Sequence, residues 1–268
     1  ERLTLYPEAT DLEIELEIDW NEQEKLLKLT FPIDVHAEQV AAETQFGHIW
    51  RPTHVNTSWD YARFETCQHK FVHLREENWG IAFANDSTYG FDVSRNTDDH
   101  GATITTLRFS IIRAARFPDP NADQGLHFMK FRIKPGASIL DAVKLGYCLN
   151  YPERRVMGNR ATPPLISCDT DQVIIETVKL AEDGSGDLIV RLYESIGSRA
   201  QCNIKLDIYK LDMYTNKSDL VEFVSNPEDE LKKLEAIQAT QSFDAETKKL
   251  IDANPDATED ELNAIFNR

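Results

Sequence analysis

The sequence is poor in glycine, in spaced cysteines and in positive charge, and each shortage removes a class of function. Only 11 glycines occur in 268 residues. They form no Walker loop, no dinucleotide fingerprint and no Gly-x-Ser-x-Gly elbow, so phosphate-cradling and serine-hydrolase chemistry lack their usual frame. The four cysteines, Cys67, Cys148, Cys168 and Cys202, include no Cys-x-x-Cys pair. A zinc knuckle or redox pair is therefore not expected, and thiols in a reducing cytoplasm are. No apolar run approaches the roughly 20 residues of a membrane helix. Residues Glu1 to Thr10 lack the basic start and apolar stretch of a signal peptide, and a chain opening at Glu1 reads as a fragment boundary. Lys and Arg number 29 against 46 Asp and Glu, a formal net charge of −17. Such a surface repels phosphate backbones and anionic lipids, so neither nucleic acid nor membrane is expected as a partner.

What the sequence does have is alternation. From Leu12 to Trp20 every even position is apolar and every odd one acidic. A period of two buries one face and wets the other, as in an antiparallel strand. Leu27, Leu29, Phe31 and Ile33 repeat the pattern, and the two runs read as a hairpin with Lys25 and Lys28 facing the acidic row. Further strands are expected over Lys70 to Arg75, Gly80 to Ala84, Thr105 to Arg113 and His127 to Lys134. A Pro- and Arg-bearing break near Tyr151 to Pro164 reads as a linker. Beyond it, Val173 to Leu180 and Leu188 to Leu192 flank the turn Asp183-Gly184-Ser185-Gly186, a second hairpin, and Asn203 to Leu211 is another strand. After about Thr215 the period becomes helical. Asn226-Pro227 opens one helix, and Thr258 with Glu261 forms the capping box of a second.

Candidate chemistry concentrates between Glu43 and His73, which hold His48, His54, His69 and His73 with Glu43, Asp60 and Glu65. On a strand, His69 and His73 face one side about 13 Å apart, too far to share a metal. Asp60 and Glu65 are a carboxylate pair by residue type alone; retaining glycosidases place two such groups about 5 Å apart. Trp50 and Trp59 flank a polar loop and could stack on sugar rings, whereas Trp20 ends an alternating strand and is assigned to the core.

The run Gln45 to Glu65, with Gly47-His48-Ile49-Trp50-Arg51-Pro52 and Thr57-Ser58-Trp59-Asp60-Tyr61 inside it, resembles the C-terminal region of family thirty-eight glycoside hydrolases, the α-mannosidases. Cytoplasmic and bacterial members are the most similar. Ile18-Asp19-Trp20-Asn21-Glu22, Leu27 to Pro32, Asn85 to Gly90, Lys179 to Gly184 and Arg191 to Glu194 extend the resemblance from about Leu5 to about Ser198.

The resemblance implies a mainly β fold: a large antiparallel β-sandwich like that of galactose mutarotase over residues 1–158, truncated at its start. A smaller β unit follows over 159–215, and a helical tail over 216–268 departs from the family pattern. It also implies that the zinc ion and nucleophilic aspartate of a retaining α-mannosidase lie in an N-terminal barrel, since no His-x-Asp word occurs here. This chain is then expected to hold no cofactor, to lack catalytic residues, and not to hydrolyse sugars alone. Its expected partners are the catalytic and helical domains of the same protein and, through them, mannose-containing glycans. Association with further copies of itself is left open. One loop of this β region reaches the family's sugar pocket, and the matching positions are Asn85, Asp86, Tyr89 and Gly90. Two other readings compete. A mutarotase-like epimerase would use His54, His127 and Glu65; a stand-alone carbohydrate-binding module would use Trp50 and Trp59.

Overall fold

A computed structural model describes residues 1–153, 157–158 and 164–206. The chain divides into two compact units, the first of Glu1–Thr162, Ser167–Asp183 and Asp187–Ile204. Of the second, the described residues are 164–166, 184–186 and 205–206. The helices expected at Pro227 and Thr258 lie outside the described residues.

The first unit is an antiparallel β-sandwich. One sheet has seven strands in the order β1 (Arg2–Thr4), β2 (Leu12–Trp20), β11 (Gly125–Pro135), β8 (Gly80–Asn85), β7 (Phe71–Arg75), β4 (Gln39–Thr44) and β5 (Gly47–Pro52). The other has four: β3 (Leu27–Ile33), β10 (Thr103–Ile112), β9 (Gly90–Thr97) and β6 (Thr66–Cys67). Alternation explains the packing between them. Ile14, Met129, Phe131, Phe83, Val72, Leu74 and Val40 point inward from the larger sheet; Phe91, Leu107 and Phe109 meet them from the smaller. Phe31, Phe83, Phe109 and Phe131 form a chain of tilted or edge-on rings with centroids 5.0 to 6.2 Å apart. Such offset geometry suits the ring quadrupole, and burying each ring is worth about 1.5–3 kcal/mol.

The hairpin expected between β2 and β3 does not form. Each strand lies in a different sheet, β2 between β1 and β11, β3 beside β10. The connection crosses the sandwich because both apolar faces can then meet in one core. The acidic row on β2 is met by other cations than those expected. Glu15 pairs with Arg2 at 3.0 Å and with Lys130 at 2.8 Å. Lys25 instead bonds Glu22, and Lys28 reaches Glu65 and Asp92.

The outward face of the larger sheet is covered by α2 (Ile139–Asn150), a helix that the strand alternation around it concealed. Ser138 and Asp141 form its capping box, and Ala142, Val143 and Leu145 pack on Phe71, Ala82 and Ala84. Gly146 permits that contact: a Cβ there would stand 3.0 Å from Lys70 Cβ. A shorter helix, α1 (Ser58–Ala62), begins where the polar loop Arg51 to Ser58 ends, and Thr57 and Asp60 cap it reciprocally. After β12 (Ile166–Cys168), the expected hairpin is present: β13 (Val173–Leu180) pairs antiparallel with β14 (Leu188–Glu194). The last described strand is β15 (Ile204–Leu206). The Tyr147 hydroxyl of α2 donates to Glu176 of β13 and lies 3.0 Å from the Tyr193 hydroxyl of β14. Burial, followed by the bond to Glu176, holds the Tyr147 phenol well above its ordinary value.

Candidate functional site

The segment Asn85 to Gly90 leaves the seven-stranded sheet at the end of β8 and enters the four-stranded sheet at the start of β9. Its shape is set by Asn85, which is 1% exposed. The Asn85 amide donates to Gln68 Oε1 at 2.9 Å and to the His69 carbonyl at 3.0 Å. Its Oδ1 accepts from the backbone N–H of Ser87 at 3.2 Å and of Thr88 at 2.8 Å, an Asx-type turn. Gln68 closes the same loop from below by donating its side-chain amide to the Thr88 carbonyl at 2.5 Å. Asn150, at the end of α2, donates to the Asn85 carbonyl at 2.9 Å. Asn85 is thus wholly occupied inside the protein, and what it does is hold the loop.

The other three residues have separate placements. Asp86 extends the β8–β11 ladder: its Oδ1 accepts the Lys130 N–H at 3.0 Å and the Ser87 hydroxyl at 2.9 Å. Tyr89 projects, 57% exposed, with its ring edge-on to His69 at 5.5 Å between centroids. Gly90 turns its α-carbon toward the Glu65 carboxylate, which fills the space a side chain would take. Glu65 in turn accepts from Ser110 Oγ and from Lys28 Nζ, the latter at 2.5 Å. Lys28 also reaches Asp92 at 2.5 Å, and Arg108 Nε bonds Asp92 at 2.7 Å. The loop therefore ends on a row of balanced charges along the outer face of the smaller sheet.

The remaining candidates are dispersed. Glu43 is buried, with Lys70 Nζ at 2.8 Å and His69 Nδ1 at 3.8 Å. His73, on β7, is buried with Nε2 2.8 Å from the Ala137 carbonyl, and burial lowers its pKa below the ordinary value. His48 is lowered by burial as well, and packs edge-on to Trp50 at 5.4 Å. Asp60 caps α1 and lies 3.5 Å from His54 Nδ1, and its pKa is lowered chiefly by the Thr57 hydroxyl. His127, on β11 of the larger sheet, bonds the Asp123 carbonyl at 2.8 Å, whereas Glu65 just precedes β6 of the smaller one. His54, His127 and Glu65 accordingly bond to separate partners, Asp60, the Asp123 carbonyl and Ser110. Among the described residues no group of three or more His, Cys, Asp or Glu side chains is placed to hold a metal ion.

Gln68 and Asn150 are the site residues that the sequence hid. They lie 17 and 65 positions from Asn85, and neither belongs to a spacing pattern.

Comparison with known proteins bears on the family and the fold. Residues 1–121 match the glycosyl hydrolases family 38 C-terminal domain, and residues 172–246 match the family 38 C-terminal beta sandwich domain. Alpha-mannosidase 2C1 of Homo sapiens is 37% identical over 201 residues, covering 72% of this chain and 18% of that protein. The alpha-mannosidase of Saccharomyces cerevisiae is 34% identical over 219 residues, 74% of this chain and 19% of its own length. The chain thus spans about a fifth of these relatives. A crystal structure of an alpha-mannosidase from Enterococcus faecalis V583 superposes with a TM-score of 0.63 at 18% identity, over 76% of this chain and 24% of that one. At that identity the likeness speaks for the fold.

Proposed function

Because the chain belongs to the C-terminal region of glycosyl hydrolase family 38, we propose that it is the non-catalytic β-rich part of a cytoplasmic, zinc-dependent, retaining α-mannosidase. In this reading it supports the catalytic and helical domains of the same protein and lends the loop Asn85–Gly90 to their sugar pocket. The observation that carries the loop assignment is the contrast between Asn85 and Tyr89. One is locked into the sandwich by five side-chain hydrogen bonds, and the other stands out at the tip. A rigid base with an exposed aromatic tip is how loops on sheet scaffolds present binding groups.

Each residue then has a defined part. Asn85 positions the loop, Tyr89 offers a ring face and a hydroxyl to a sugar, and Asp86 offers a carboxylate oxygen to a sugar hydroxyl. Gly90 makes room for Glu65 at the end of the loop. The described residues do not fit a zinc ion, since no three ligating side chains converge. Zinc belongs in this proposal to the catalytic domain.

The test uses the full-length parent enzyme. Tyr89→Ala and Asp86→Ala should each lower kcat/KM on an α-mannoside by about tenfold, with the melting temperature unchanged. Unchanged kinetics in both variants would remove the loop from the pocket. The isolated chain, incubated with an aryl α-mannoside and added zinc, should show no turnover; turnover tracking its concentration would overturn the non-catalytic reading.

A further inference from the structure

The outer face of the four-stranded sheet bears a concavity that the loop Asn85–Gly90 does not enter. The end of β5, helix α1, and strands β6, β9 and β10 enclose a cleft of about 630 Å³. That size lies within the range of small-molecule sites, roughly 300–1,000 Å³.

Its walls are aromatic. Tyr61 on α1 and Phe64 just beyond it line the cleft while remaining 76% and 79% exposed, and Trp50 closes the β5 side. These rings are not there to fill a core, because α1 buries none of its residues. A five-residue helix with a complete capping box and no buried face holds its side chains outward in a fixed arrangement.

The floor is polar and charged. Asp92 is held by Lys28 at 2.5 Å and by Arg108 Nε at 2.7 Å, so the Arg108 guanidinium is anchored through one nitrogen, its side chain 47% exposed and part of the cleft lining. In the wall, Arg51 Nε is buried without a hydrogen-bond partner, and His54 Nδ1 is buried 3.5 Å from the Asp60 carboxylate. Unpartnered buried donors are uncommon in native proteins and costly, about 1–3 kcal/mol each.

An oriented fork of N–H donors beside exposed ring faces suits a pyranose. The apolar C–H face of the sugar packs on the ring, and neighbouring hydroxyls accept from the guanidinium. Asp60 and Asp92 offset two of the three arginines, Arg51, Arg63 and Arg108, that line the cleft, so its lining calls for no strongly charged ligand. We propose that this cleft, walled by Tyr61 and Phe64 over Arg108, binds a neutral pyranose residue of a glycan at a site separate from the loop Asn85–Gly90.

The test is titration of the chain with methyl α-mannopyranoside, methyl α-glucopyranoside and α-1,2-mannobiose, followed by protein-observed NMR. At least one sugar should bind saturably, with the largest shifts at residues 50–66 and 92–108. The double variant Tyr61→Ala/Phe64→Ala should weaken that binding about tenfold or more. Trp59→Ala, equally exposed but outside the cleft lining, and Tyr89→Ala, on the loop, should leave it unchanged. Absence of saturable binding to all three sugars up to ~100 mM would overturn the proposal. So would binding that survives the double variant. Binding lost in Tyr89→Ala and kept in the double variant would move the sugar to the loop and overturn it too, leaving the loop reading intact.

Discussion

Gly90 and Glu65 share one space: a Cβ at Gly90 would stand 2.7 Å from Glu65 Oε1 and 3.1 Å from Ser110 Cβ. The carboxylate is not free to withdraw, being held by Lys28 and Ser110. Gly90→Ala should therefore destabilise the chain by about 1–3 kcal/mol, as overpacking does. In a Glu65→Ala background the cost should shrink, since residues in contact are coupled. Urea unfolding of the four-member cycle measures this, and additive effects would mean that the contact carries no energy.

Asn85→Ala should cost about 2–4 kcal/mol, because it strands the Gln68 side chain and two loop N–H groups in the interior. The exposed Tyr89→Ala should stay within about 0.5 kcal/mol of the parent. Hydrogen exchange should rise over residues 86–89 in the first variant alone. Equal exchange in both would show that Asn85 is not what orders the loop.

Tyr147→Phe removes the hydroxyl that Glu176 accepts from and that meets Tyr193. A bond to a charged group is worth about 1.5–3 kcal/mol. The loss should appear as faster exchange in β13 and β14 while β8 and β11 stay protected. A uniform change across the sandwich would mean the hydroxyl matters to global stability rather than to seating this ribbon.

Acid should weaken the fold in two windows. Burial holds His73 and His48 below the ordinary imidazole value of 6.5, so the unfolded chain binds protons that the folded one refuses. Their effect is absent well above pH 6.5 and grows as pH falls below it. Arg75 and the mutual repulsion of the two imidazoles push His73 the same way, while Asp141 opposes. Asp141 is lowered from 3.8 to about 2, first by Lys134 and then by Ser138, so its contribution is present above 3.8 and lost as pH drops toward 2. His73→Gln should flatten the stability slope between roughly pH 7 and 5 and leave the lower window unchanged. An unaltered upper slope would assign it to other groups.

The described surface carries several exposed aromatics, among them Trp59, Phe64, Phe117 and Phe128. Contiguous exposed apolar surface commonly marks contact with other protein. The isolated chain should bind a hydrophobic dye and elute early from a sizing column, whereas the full-length parent should bind much less dye. A monomeric chain without dye binding would show that these rings stand apart from one another.

The strands were legible because alternation reports directly on which side of a sheet is wet. The 12–20 row and the 173–192 hairpin stand where the sequence put them. Alternation does not report which strand lies next door, so neighbours in sequence, β2 and β3, were paired although a core between two sheets suits both better. Ser138 and Asp141 carry the same kind of capping signal from which a helix is expected at Thr258, but a strand pattern running into them masked it. Of the loop, the polar words Asn85 and Asp86 could be read, and the division of labour could not. Whether an asparagine faces solvent or seals a turn depends on Gln68 and Asn150, which only the fold brings near.

The tie from Asn150 to the Asn85 carbonyl joins the end of α2 to the crossing between the two sheets. A segment fastened to a helix, to the 68–69 backbone and to both sheets has little freedom left to lose. Anything that docks on Tyr89 meets a group whose support was immobilised when the chain folded. Association there should therefore carry a small conformational-entropy penalty, and it should be limited by the motion of the partner and of one exposed ring.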